Sequence, residues 1–244
     1  ADFASRMLML VEEEGGFEGA PISITASIGI AIHPTDGTEG EDLLRNADLA
    51  MYRAKAERGS RFCFYASDMT ARARQLAMLD KRLQRAFENN EFVLHYQPQV
   101  NIATGRIIGA EALLRWNDPE HGLIAPGLFL PHAEENGLIV PINEWVLMKA
   151  CEDARGWERA GLGPLCVSVN MSPVQFRRRT VPVHVAKVLA MTGLDPRRLD
   201  IELTEGIVMS GLESVAADMR HLVQIGVSIS IDDFGTGYSS LSYV

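Results

Sequence analysis

Long apolar runs and cysteines are scarce in this sequence. No run approaches the roughly 18 apolar residues that a bilayer-spanning helix needs, and the N-terminal segment has no charged-then-apolar leader. The three cysteines, Cys63, Cys151 and Cys166, are widely spaced and odd in number, which fits neither a disulfide framework nor the usual zinc spacings. We therefore expect reduced thiols and a cytoplasmic location, with any membrane anchor outside these residues.

Positive charge is also in the minority. Lysine and arginine number 23 against 32 aspartates and glutamates, so the formal net charge is −9. An acidic surface argues against DNA as a partner, because nucleic acids bind through basic faces. An anionic substrate remains compatible with this charge where metal ions supply the positive charge. The length of 244 residues allows one large domain or two smaller ones.

Two segments with different patterns divide the chain. In the first, residues 1–67, apolar alternation predicts a strand over 22–32 and helical spacing predicts a helix over 41–58. A segment with so few strands and helices is too small to bury a stable hydrophobic core by itself. A second amphipathic pattern predicts a helix that joins the two segments, and we assign residues 68–90 to this linker.

The second segment, residues 91–244, has the pattern of an α/β fold. Strand-like runs alternate with helical stretches, and the last two strand ends lie about 30 residues apart, which is typical of a βα unit. The pattern predicts a largely parallel sheet, as in a (β/α) barrel. Strands are predicted over 92–100, 106–116, 165–171, 199–204 and 227–233, with helices over 141–160, 181–192 and 212–224.

Four of these strands carry a polar side chain near the C-terminal end, in phase opposite to the apolar residues: Glu111, Asn170, Glu202 and Asp232. Because strand ends converge in a barrel, we expect these side chains to meet. Carboxylates that meet repel one another unless hard cations such as Mg²⁺ or Mn²⁺ lie between them. The adjacent Asp233 can reach a second ion, and two ions about 3.5–4 Å apart clamp both oxygens in phosphoryl transfer.

Each position has a simpler interpretation when taken alone. An aspartate at a strand end is most often a turn or helix-cap residue, and Asn170 alone would be a turn residue. Glu111 is harder to dismiss, because burying an unpaired carboxylate within an apolar strand is costly. From periodicity alone, the matching phase of all four favours a metal-dependent hydrolase or lyase on an α/β barrel.

Five ordered stretches resemble the EAL domain, the family of cyclic di-GMP phosphodiesterases. Each alone would be a weak match, whereas their order along residues 91–244 is specific. They are YQP with EALLRW at 96–98 and 111–116, FLPHAE with GLI at 129–134 and 137–139, SVNMS at 168–172, ELTE at 202–205 and DDFGTGYSSL at 232–241.

The first segment resembles the C-terminal part of a GGDEF, or diguanylate cyclase, domain. The stretches SIGIA at 27–31 and ADLAMYRAK at 47–55 carry this likeness, whereas the GGDEF motif itself is absent. We therefore do not expect the chain to synthesise cyclic di-GMP. The two resemblances together imply a partial α+β tail followed by an incomplete TIM-like (β/α)₈ barrel.

The EAL resemblance implies a reaction and a set of residues. Water would attack one phosphodiester of cyclic di-GMP to give linear pGpG, with two Mg²⁺ or Mn²⁺ ions, in a homodimer formed through the EAL domain. Asp232 would bridge the ions. Glu205 would anchor the loop that follows the predicted strand 227–233. The implied sets are Glu111, Asp232, Asp233 and Glu205 for catalysis; Glu111, Asn170, Glu202, Asp232 and Asp233 for the metals; and Gln97, Leu113, Arg115 and Asn170 for the substrate.

The sequence departs from the family pattern at its end. EAL domains continue with strands that carry a catalytic lysine, a glutamate and a glutamine, and we count about five of the eight strands of a full barrel. We expect these residues to be the middle of a longer signalling protein, inactive and poorly folded when produced alone. The alternative to an enzyme is a non-catalytic cyclic di-GMP receptor, although the intact metal-ligand positions favour the enzyme.

Overall fold

The computed structural model describes residues 1–12, 15–17, 20–22, 24–56, 61–209 and 213–232. The chain divides into two compact units, residues 1–79 and 80–244. None of the helices in the described ranges is long and apolar enough to cross a bilayer.

The first unit pairs short strands with helices. Strand β3 (Ser27–Ile30) pairs in parallel with β4 (Arg61–Phe64). Helix α2 (Gly40–Ala56) lies so close to β3 that a Cβ on Gly29 would sit 1.9 Å from the carbonyl oxygen of Ala47. The strand predicted over 22–32 is shorter, and α1 and the β1–β2 hairpin are additional to the prediction. The elements are α1 (Asp2–Glu12), β1 (Gly15–Phe17), β2 (Ala20–Ile22), β3 (Ser27–Ile30), α2 (Gly40–Ala56), β4 (Arg61–Phe64) and α3 (Ser67–Glu88), which continues into the second unit.

The second unit contains every strand and helix that the sequence predicts after residue 91, with ends shifted by a few residues. Four short elements were not predicted: β7, α4, α6 and α8. The elements are β5 (Phe92–Val100), β6 (Ile107–Asp118), β7 (Gly122–Ile124), α4 (Leu130–Glu135), α5 (Ile139–Arg159), β8 (Cys166–Asn170), α6 (Pro173–Arg177), α7 (Val181–Thr192), β9 (Leu199–Thr204), α8 (Glu205–Met209), α9 (Glu213–Ile225) and β10 (Ser228–Asp232).

These strands form one six-stranded sheet with the order β10-β9-β8-β6-β5, and β7 pairs with β6 outside that path. The pairs β6–β8, β8–β9 and β9–β10 are parallel, whereas β5 and β7 run antiparallel to β6. The predicted largely parallel sheet is therefore confirmed. In the described residues the sheet does not close on itself.

The two faces of the sheet differ in chemistry as the strand phases predict. On one face, the apolar residues of β8 and β9 are fully buried, and α5 packs against β8. Burial of each large aliphatic side chain contributes about 1.5–3 kcal/mol. The other face carries the polar residues that alternate with them. The buried set is Val167, Val169, Leu199, Ile201 and Leu203.

An ion pair fixes the end of α3 to the end of β6. The Arg82 guanidinium lies 2.6 Å from Asp118 and sits over the fully buried Trp116 ring, 5.1 Å from its centroid. The backbone N–H groups of Glu120 and His121 also donate to the Asp118 carboxylate. Burial by itself raises the pKa of Asp118, but the hydrogen bonds from Arg82 and His121 outweigh it and hold that pKa well below its usual range.

Asp118→Asn is expected to lower the free energy of unfolding by about 2–3 kcal/mol at neutral pH, because a partly buried cation loses its partner. A folded-state pKa below the unfolded value of about 3.9 stabilises the fold above that value. The stabilisation is lost as pH falls through the folded pKa. Urea unfolding followed by tryptophan fluorescence should therefore show a difference between the proteins that shrinks below about pH 4.

The matched control for this variant is Glu88→Gln, which removes an exposed charge from the same helix. Its free energy of unfolding should stay within about 0.5 kcal/mol of the unmodified protein. A difference for Asp118→Asn that grows as pH falls would contradict the assigned direction of the pKa shift.

Candidate active site

The four predicted strand-end residues all lie on the polar face of the sheet. Asn170 and Glu202 are register partners on the parallel strands β8 and β9, and Asp232 ends β10 opposite Thr204. The Asn170 amide nitrogen donates to the Glu111 carboxylate over 2.8 Å, so residues 59 positions apart meet. Hydrogen-bonded strand pairing thus brings β6, β8, β9 and β10 together with their polar ends on one edge.

Electrostatic repulsion concentrates at Glu202, which is half-buried. Burial first, and then the negative charge of Glu111, raises the pKa of Glu202 to about 7. Asp200 and Asp232 add to the rise, while a hydrogen bond with Ser168 opposes it. The Glu202 carboxyl group therefore lies within electrostatic reach of three other acids. A divalent cation at this edge would lower the free energy of the ionised form.

The donor chemistry fits a hard divalent cation. Glu111, Glu202 and Asp232 offer carboxylate oxygens, Asn170 offers an amide oxygen, and this is the ligand type that Mg²⁺ and Mn²⁺ take. Within the described ranges, however, no three histidine, cysteine, aspartate or glutamate side chains lie close enough to share one ion. In this arrangement the Glu111 carboxylate has the Asn170 amide as its hydrogen-bonding partner.

Of the two remaining catalytic or metal-binding residues that the sequence predicts, the structure describes one. Glu205 follows β9 directly at the start of α8 and is only 9% exposed. Asp233, predicted to hold a second ion, lies outside the described residues, as does the 235–237 Gly-Thr-Gly stretch.

A pocket of about 220 Å³ opens next to the strand ends. Three of the predicted substrate residues, Leu113, Arg115 and Asn170, line it. Gln97 is not among the lining residues; it lies on β5 as the register partner of Glu111. The predicted substrate residues therefore divide between the pocket and the neighbouring strand.

The pocket also contains polar residues to which the sequence assigned no role. The Ser172 hydroxyl donates to the Glu134 carboxylate over 2.6 Å. It also accepts from the backbone N–H of Val174, and this hydrogen bond caps the N-terminus of α6. The buried Asn143 lines the same pocket and donates to Gln175. Glu134 and Ser172 fall within the stretches FLPHAE and SVNMS, so position in a motif was the one available signal.

Comparison with known protein families identifies the family to which this chain belongs. The family model described as the EAL domain matches residues 80–244, more than half of the chain. The chain belongs to the EAL-domain family. A second model, described as the diguanylate cyclase GGDEF domain, matches residues 1–61 ahead of the EAL domain.

Two curated relatives in Pseudomonas aeruginosa match nearly the whole chain. The bifunctional diguanylate cyclase/cyclic di-GMP phosphodiesterase MucR is 43% identical over 100% of this chain and 36% of its own length. The cyclic di-GMP phosphodiesterase NbdA is 36% identical over 99% of this chain and 31% of its own length. The chain thus spans about a third of the length of the curated relatives it matches.

Solved EAL structures share the fold. The PaMucR phosphodiesterase in complex with c-di-GMP matches with a TM-score of 0.65 and 46% identity, covering 68% of this chain and 67% of that one. The EAL enzyme Bd1971, bound to cAMP and cyclic di-GMP, matches with a TM-score of 0.67 and 31% identity over 86% of this chain and 55% of that one. EAL domains form TIM-like barrels, and the parallel strands β6, β8, β9 and β10 are the part of that architecture described here.

Proposed function

We propose that the protein hydrolyses cyclic di-GMP to linear pGpG with Mg²⁺ or Mn²⁺ bound at the ends of the parallel strands. The observation that carries this proposal is the meeting of Glu111 and Asn170 beside Glu202, whose pKa is raised to about 7 by burial and neighbouring acids. The choice of substrate is supported by the EAL relatives that are named as cyclic di-GMP phosphodiesterases.

Residues of this chain would hold the metals in two groups. Glu111, Asn170, Glu202 and Asp232 would bind the first ion, and Asp233 would reach the second from the residue after β10. When bound, the ions supply Lewis acidity toward the phosphate oxygens and charge stabilisation in the transition state. Without them the carboxylates would repel the phosphodiester.

The pocket would hold the substrate against the strand ends. The Arg115 side chain lines it and is a cation suited to a phosphate oxygen, while Leu113 provides apolar contact. Asn170 belongs to both the pocket and the strand-end group, and this supports a substrate position with the phosphodiester next to the strand ends. Gln97, beside Glu111 on β5, would contact the substrate from the other side.

The cellular setting is part of the proposal. We assign residues 1–67 to the end of a GGDEF domain, 68–90 to a linker and 91–244 to the EAL domain. The EAL domain would act on the cytoplasmic side and pair with a second copy. The activity is proposed for the protein at its natural length.

A non-catalytic cyclic di-GMP receptor is the second candidate. The observation that favours it is that no three acidic, histidine or cysteine side chains in the described part of the chain lie close enough to share an ion. A receptor would bind the dinucleotide in the same pocket without cleaving it.

Incubation of the purified protein at its natural length with cyclic di-GMP and Mn²⁺, followed by chromatographic detection of nucleotides, separates the two candidates. The enzyme is expected to accumulate pGpG, to stop after chelation by EDTA and to lose activity in Glu111→Gln. Saturable binding of cyclic di-GMP without formation of pGpG, with or without Mn²⁺, would reject the enzyme and support the receptor. Absence of both binding and cleavage would reject both.

A further inference from the structure

A buried acid lies on the polar face of the sheet, in register with Ser168 and, through Ser168, with Glu111. Asp200, two positions before Glu202 on β9, is only 7% exposed. Its two carboxylate oxygens accept hydrogen bonds from Ser168 on β8 over 3.2 Å and from Ser230 on β10 over 3.0 Å. Gln99 on β5 donates to the Ser168 hydroxyl over 3.2 Å. Residues of β8 and β10 therefore bond this buried carboxylate of β9 directly, and β5 is connected to it through Ser168.

The partners of Asp200 are all neutral. No ion pair joins it to a lysine, arginine or histidine in the described part of the chain. Burial of an ionised carboxylate costs several kcal/mol unless charge or hydrogen bonds compensate it, and two hydroxyl donors compensate only in part. Ser168 is itself only 1% exposed, whereas Ser230 is exposed, so the Ser168 side of the Asp200 carboxylate is the more shielded from water.

The position of Asp200 suggests what completes the compensation. Along β9 its side chain points to the same face as Glu202, one step further from the strand end. Its strand partners carry the proposed metal-binding residues: Asn170 is two positions beyond Ser168, and Asp232 is two positions beyond Ser230. A cation held by those residues would therefore lie near the Asp200 charge.

We propose that Asp200 is a positioning residue for the strand-end cation: its buried, hydroxyl-clamped charge increases the affinity of Glu202, Asn170 and Asp232 for a divalent metal. This inference rests on the proposed metal-dependent function. Residues that act on a metal through its direct ligands change affinity by about 10–100-fold when they are replaced. Because Asp200 is buried, salt screens its charge less than it screens the charge of an exposed side chain.

The experiment measures binding of Mn²⁺ alone by titration calorimetry, without substrate. Asp200→Asn preserves the size of the side chain and removes its charge, and it should weaken the Kd for Mn²⁺ by about tenfold or more. The matched control is Asp153→Asn, on α5. Asp153 accepts hydrogen bonds from the Tyr96 hydroxyl and Lys149, and it lies on the helix that covers the other face of the sheet. This control should leave the Kd for Mn²⁺ within about twofold.

A double variant separates the effect of charge from the effect of altered packing. Asp200→Asn combined with Ser228→Asp moves the carboxylate from β9 to its register partner on the neighbouring strand β10, in the same polar layer. It should recover most of the lost affinity for Mn²⁺, which a purely structural role for Asp200 would not produce. Far-ultraviolet circular dichroism without metal checks that both variants are folded.

The possible results lead to different conclusions. If the unmodified protein binds no Mn²⁺, the proposed function and this inference both fail. If the unmodified protein binds Mn²⁺ and a folded Asp200→Asn binds it equally well, only this inference fails. If Asp200→Asn does not fold, the double variant decides: near-normal affinity supports the role of the charge, and a folded double variant with Kd weakened more than about tenfold overturns it.

Discussion

Asp232→Asn is expected to lower the turnover of cyclic di-GMP by a factor of about 10²–10³, because a lost metal-binding charge costs several kcal/mol of transition-state stabilisation. Asp232 ends β10 in phase with Ser228 and Ser230, and its negative charge helps to raise the pKa of Glu202. The side chain of Asp232 is exposed, so its replacement should leave the free energy of unfolding nearly unchanged. Steady-state release of pGpG at saturating Mn²⁺ measures the effect.

The control for this variant is Asp195→Asn. Asp195 caps a short helical turn before β9 and pairs with the neighbouring Arg197, at the opposite end of β9 from Glu202. It should keep turnover within about twofold of the unmodified protein. Near-normal release of pGpG by Asp232→Asn, with Mg²⁺ or with Mn²⁺, would remove Asp232 from the metal-binding set.

Glu205→Ala should lower turnover by about 10²-fold, although Glu205 is not in the proposed metal-binding set. The carboxylate is buried where β9 passes into α8, directly after Thr204, which lines the pocket. We propose that it anchors the chain that follows β10, so its loss would disturb substrate closure rather than the ions. Turnover should therefore fall while the Kd for Mn²⁺ alone stays within about threefold.

Glu205→Gln provides the matched variant, because it keeps the size and one acceptor oxygen while removing the charge. Its turnover should lie between those of Glu205→Ala and the unmodified protein. Full activity in Glu205→Ala would refute the anchoring role, and a parallel loss of Mn²⁺ binding would instead move Glu205 into the metal-binding set.

The sequence by itself determined the five longer strands of the second unit, their phases and the residues at their ends. The two-residue period of a β-strand is a property of the backbone, so the alternation of Leu199, Ile201 and Leu203 with polar residues fixes which face of β9 is buried. The same alternation on β6, β8 and β10 selected Glu111, Asn170 and Asp232. Their identification with a particular reaction came from motif resemblance, because carboxylates at strand ends suit many metal-dependent reactions.

Tertiary structure decided which side chains become partners across strands. Ser172 and Glu134 are 38 positions apart and meet because α4 and the end of β8 border one pocket. Strand phase placed Asp200 on the polar face, but only the order β8-β9-β10 gave its carboxylate a hydroxyl on either side. A strand's period is local, whereas its neighbours and register depend on how helices pack over the whole sheet. The contact of Asp200 with strands that carry the proposed metal-binding residues is therefore visible only in three dimensions.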